Sequence, residues 1–121
     1  MIASPQDPRL PLTMLAGPAA LDGYLAQGGA AALVTDAAAP PPGFVAAQTI
    51  ARRPLHRALC GCCGGRSEAA IALDRLFQAR ARGHAPWFGR VAVLVASPAL
   101  RRDLEAAISA DALTMARFRA A

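Results

Sequence analysis

Apolar residues fall in short bounded runs along this chain. Leu10 to Leu15 is apolar at most positions and stops at Ala16-Gly17-Pro18. Ala31-Ala32-Leu33-Val34-Thr35 and Val91-Ala92-Val93-Leu94-Val95-Ala96 are apolar at nearly every position. Runs of this length, closed by Gly and Pro, predict buried strands. Continuous rather than alternating apolarity predicts strands covered on both faces, as in a parallel sheet. Val45 to Ile50 is weaker and fits an edge strand or a helical turn. Ala112 to Phe118 alternates through Leu113, Met115 and Arg117, which predicts a short terminal strand, with a helical ending as the alternative.

Helical spacing occupies the intervals. Leu21, Tyr24 and Leu25 predict a short helix over 19–27, stopped by Gly28-Gly29. Between Ser67 and Gly83 the stripe is Ala69, Leu73, Leu76 and Phe77. Ser67 suits the N-cap, Glu68 the first turn, Arg80 and Arg82 the last, and Gly83 the stop. Ser97-Pro98 opens another helix, with Leu100, Leu104, Ala107 and Ile108 as its buried stripe. Pro40-Pro41-Pro42 has no amide donors and predicts an extended surface loop. The order of elements predicts an α/β fold, a three-layer sandwich around a mostly parallel sheet of about four strands. Residues 1–10, with two prolines, read as an extended lead-in to one domain over 11–121.

Composition agrees with a packed domain. The chain has 121 residues, 55% of them hydrophobic and 17% charged, enough for a core and too apolar for a disordered tail. Aromatics are only 5%, so Ala, Leu, Val and Ile must fill that core. No apolar run approaches the ~20 residues of a membrane-spanning helix, and the first residues lack the pattern of a secretory signal. A cytoplasmic location is the expectation, where thiols stay reduced. The net charge of +5 comes from thirteen arginines, with no lysine. Basic residues are not interleaved with aromatics, so solvated surface guanidiniums are expected rather than a nucleic-acid surface.

Chemistry concentrates in Cys60-Gly61-Cys62-Cys63. Three crowded cysteines in a reduced compartment read as metal ligands or reactive thiols. Soft thiolates suit zinc or Cu(I). Gly61, Gly64 and Gly65 give the turn freedom to converge two or three sulfurs. Arg57, Arg66 and the start of the helix at Ser67 favour thiolate over thiol. Zinc requires a fourth ligand. His56 is the near candidate, and a second chain, making a homodimer, or water are the others. His84 lies beyond the whole helix. One or two of the cysteines as small buried hydrophobes is the plain structural alternative.

Other constellations are weaker. Gly17-Pro18-Ala19-Ala20-Leu21-Asp22 occupies the place of a phosphate-binding turn. Pro18 removes an amide, Asp22 repels phosphate, and no lysine is present to neutralise it. No nucleotide is expected there. Asp103 and Glu105 read as solvated charges on a helix.

Leu59-Cys60-Gly61-Cys62-Cys63, a helix, and then Pro86-Trp87-Phe88-Gly89-Arg90 running into Val91–Val95 together resemble the CobW family of metallochaperone P-loop GTPases. Pro11 to Gly17 is similar to that family's first strand, and Leu33-Val34-Thr35-Asp36 to the end of its second. The Gly-Lys-Thr of the family's phosphate loop is missing. The resemblance therefore implies a degenerate, shortened relative with the fold of the N-terminal half and its metal-binding thiols. It does not imply GTP hydrolysis. The expected function is non-catalytic zinc binding by Cys60, Cys62 and Cys63, with His56 as candidate fourth ligand. A thiol redox enzyme or sensor, and a purely structural interaction partner, are the alternatives.

Overall fold

A computed structural model describes residues 7–50 and 67–121. The strands are β1 (Leu10–Met14), β2 (Ala31–Thr35), β3 (Ala46–Thr49), β4 (Arg90–Leu94) and β5 (Phe118–Ala120). The helices are α1 (Leu21–Ala26), α2 (Glu68–Ala81), α3 (Pro98–Ala110) and α4 (Ala112–Arg117), with a 3-10 turn at Pro18–Ala20 before α1. One sheet of five strands runs in the order β3-β2-β4-β1-β5, and every pair is parallel. The α/β class and the parallel sheet are as expected. The sheet has five strands rather than four, because the weak segment near 45–50 pairs with β2 as an edge strand.

Alternation along the strands builds two cores. Leu10, Leu12, Ala32, Val34, Val91, Val93 and Phe118 point to one face, where they meet α2 and α3. Leu15, Ala31, Leu33 and Ala92 point to the other and pack with Tyr24 of α1. All five residues of β2 are therefore buried, which explains its unbroken apolar run. Each fully buried Leu or Val contributes about 1.5–3 kcal/mol. α2 packs against the sheet, α3 and α4, so Ala70 and Ala72 are buried along with the expected Ala69, Leu73 and Leu76. Phe77, expected in that stripe, is half-buried and meets Phe118 edge-on. Leu100, Leu104 and Ala107 anchor α3 as expected.

The connection from β2 to β3 contains no helix. Residues 36–45 return the chain from the carboxyl end of β2 to the amino end of β3, and ten extended residues reach about 33 Å, ample for the task. The proline triplet keeps this return extended. Phe44 then stacks on Tyr24 with ring centroids 6.3 Å apart, which closes the second core.

The ending differs from the strand expected over 112–118. Residues Ala112–Arg117 form α4, and only Phe118–Ala120 pair with β1. Asp111 decides this: its carboxylate accepts from the Thr114 amide at 3.0 Å and from the Thr114 hydroxyl at 2.8 Å. That N-cap starts a helix and leaves Leu113 and Met115 exposed.

At the other terminus, the Asp7 carboxylate accepts from the Arg9 amide and from the Arg9 guanidinium through both of its oxygens. Hydrogen bonding to Arg9 holds the Asp7 carboxyl at about 2, below its ordinary 3.8. A depressed carboxylate favours the fold above the unfolded value, and that contribution disappears as pH falls through about 2. NMR titration should find Asp7 near 2, and Arg9→Ala should return it toward 3.8.

Candidate functional site

In parallel α/β sheets, ligands gather at the carboxyl ends of the strands. Here that edge holds Leu15-Ala16-Gly17 after β1, Asp36 after β2, Ile50 after β3 and Ala96-Ser97 after β4. Cys60, Cys62, Cys63 and His56 lie outside the described residues. The ends of the segment that carries them are placed. Ile50 is buried and donates its amide to the Thr35 carbonyl at 2.8 Å. Ser67 caps α2, its hydroxyl accepting from the Ala70 amide at 3.1 Å. The thiol-bearing segment thus leaves from a strand's carboxyl end and rejoins at a helix's amino end.

Charge is concentrated in the same stretch of sequence. Residues 51–66 contain four of the thirteen arginines and none of the eight acids, so they carry +4 of the net +5. Cations beside a thiol favour its thiolate, the form that binds metal. His84 is exposed in the turn after α2. The fourteen residues of α2, about 21 Å of helix, separate it from Ser67.

The rest of the carboxyl edge is closed by the protein's own groups. The Asp36 carboxylate accepts from the Ala96 amide at 3.0 and 3.1 Å and from the Ser97 amide at 3.1 Å. An internal anion therefore occupies the turn that opens α3, where it also suits the helix's positive end. Arg101 of α3 donates to the Leu15 carbonyl at 3.0 Å, tying the turn after β1 shut. Gly17 has extended backbone with φ 177°, and a Cβ added there would meet nothing within 4 Å. Among the described residues no three His, Cys, Asp or Glu side chains converge as a metal site.

Several arginines expected as solvated charges are internal ties instead. Arg90 donates to the Tyr24 carbonyl at 2.8 Å and the Gly29 carbonyl at 3.2 Å, with its guanidinium 4.2 Å from the Tyr24 ring centroid. Burial pushes the Tyr24 phenol above its ordinary value, and the Arg90 charge offsets part of that. Arg117 pairs with Asp74 and lies over Phe77, joining α4 to α2. Arg80 donates to the Phe88 carbonyl at 2.8 Å, and burial lowers its pKa from the usual guanidinium value. Planar guanidiniums stack on rings and fork onto carbonyls, so they serve here as packing groups. Asp103 and Glu105 are exposed, as expected.

Asp36 was legible only as the residue after a strand. Its partners lie 60 and 61 residues away, and no local spacing announces them. No helix among the described residues is long and apolar enough to cross a membrane. Comparison with protein-family models, with curated proteins and with solved structures yields no match to this chain.

Proposed function

We propose that this chain is a non-catalytic transition-metal-binding domain of the cytoplasm that holds zinc through Cys60, Cys62 and Cys63. His56, water or a second copy of the chain supplies the fourth ligand. The observation that carries the reading is three thiols within four residues, in a segment whose ends meet the carboxyl edge of a parallel sheet. Its arginine-rich, acid-free sequence supports the thiolate state that zinc requires. The occupation of the Ala96 and Ser97 amides by Asp36, together with Pro18 and the lack of lysine, supports a frame that binds no nucleotide. This is what a CobW-like domain would be with its thiols kept and its GTP switch lost.

Zinc titration against a chromophoric chelator tests the reading. The native chain should compete for zinc, and affinity should weaken as pH falls and thiolates protonate. Cys62→Ser with Cys63→Ser should lose competition while its thermal melt stays cooperative. The same positive surroundings would also activate a redox thiol. That second reading predicts a cysteine titrating well below ~8.5 and turnover of a disulfide substrate, with no zinc retained.

A further inference from the structure

Trp87 is the chain's single tryptophan, and it is 68% exposed. A large aromatic side chain left in water is not explained by the fold. Its neighbour Phe88 is fully buried, so Phe88 alone anchors this lead into β4. The exposure does not come from a loose loop. His84 and Ala85 both donate their amides to the Ala79 carbonyl, at 2.8 and 3.1 Å, and Gly89 donates to the Ala30 carbonyl at 3.1 Å. Arg80, fixed by its bond to the Phe88 carbonyl, lays its guanidinium 3.3 Å from the Trp87 ring centroid. One face of the indole is thus backed by a cation, and the side chain is held ready for contact.

The surroundings are basic. Between Asp74 and Asp103 the sequence has six arginines and no acid. Of these, Arg80, Arg90 and Arg101 are committed to carbonyls within the protein. Arg82 and His84, in the chain between α2 and Trp87, are exposed. A rigid Trp with an Arg beneath it, and exposed basic residues close by in the chain, has the make-up of an interface hot spot. It is too small for a nucleic-acid strand, which uses successive aromatics along a basic groove. Among the described residues Trp87 is the one exposed aromatic of this kind.

We propose that Trp87, backed by Arg80 and preceded in the chain by Arg82 and His84, anchors an acidic peptide segment of a partner protein. The surface lies at the carboxyl end of α2, the end remote from Ser67. Tryptophan fluorescence reads the site directly, because no other indole contributes. A short glutamate-rich peptide added to the full chain should shift Trp87 emission to the blue and shield it several-fold from acrylamide. Arg82→Glu with His84→Glu should weaken that binding by about tenfold or more through charge reversal. Its melt should stay cooperative and fall only slightly, since both side chains are exposed but two new carboxylates oppose the negative end of α2. Cys62→Ser with Cys63→Ser should bind the peptide as the native chain does, so zinc binding and peptide binding fail separately. The proposal is overturned if the peptide leaves the emission unchanged, or if the charge-reversed variant responds equally. Protection by oligothymidylate in place of the peptide would assign the surface to nucleic acid, and a blue shift on concentrating the protein alone would assign it to self-association.

Discussion

Asp36→Ala should lower stability by about 1.5–3 kcal/mol, the usual worth of hydrogen bonds to a charged group. At this chain length that is a fall of roughly 6–12 °C in the thermal midpoint. The carboxylate bridges the end of β2 to the turn entering α3 through the Ala96 and Ser97 amides. Removing it leaves the Ser97 amide, which is part-buried, without that acceptor and takes a negative charge from the positive end of α3. Asp36→Asn keeps one acceptor oxygen and loses the charge, so it should fall between the two. Thermal melts of the three proteins in parallel check the order. An Ala variant as stable as the native chain would mean the carboxyl edge is not held closed by this residue.

Gly43→Ala should be the more costly of two glycine substitutions, and Gly17→Ala the control. Gly43 has φ +105°, a region L-residues rarely adopt, and a Cβ there would come within 2.7 Å of a Leu25 methyl. Strain of this kind costs about 1–3 kcal/mol. Leu25 must also shift, which loosens the packing of Phe44 on Tyr24. Gly17 is extended with open space around it, so alanine there should be neutral or stabilise by up to about 1 kcal/mol through the unfolded chain. Denaturant unfolding of both variants checks the contrast. A marked loss at Gly17 would mean that protein atoms pack closely against the turn after β1, contrary to its open surroundings.

Legibility in the sequence followed the reach of each interaction. α2 and α3 were readable because Ser67 and Ser97 cap within three residues and their stripes repeat every three or four. β2 and β4 are readable because burial on both faces leaves polar residues only at their ends, Thr35 and Arg90. β3 was ambiguous because an edge strand with alternate residues exposed has little apolar signal. At the ending, Leu113 and Met115 suggest alternation and favour a strand over the helical alternative, whereas the Asp111 cap decides for the helix. The arginines were misjudged for a related reason. Stacking of Arg90 on Tyr24 and of Arg117 on Phe77 joins positions 66 and 40 residues apart, and composition cannot display such pairs. Of the candidate site, the sequence carries the thiols and their basic setting. The closure of the sheet's carboxyl edge by Asp36 and Arg101 emerges only in three dimensions.

Zinc that travels with the protein is the most direct sign of the proposed site. Elemental analysis of the full chain, purified under reducing conditions and freed of loose metal, should find close to one zinc per chain, or one per pair of chains if two copies share the ion. Protein that is metal-free and takes up no zinc on titration would contradict the account and leave the thiols to redox chemistry or to packing.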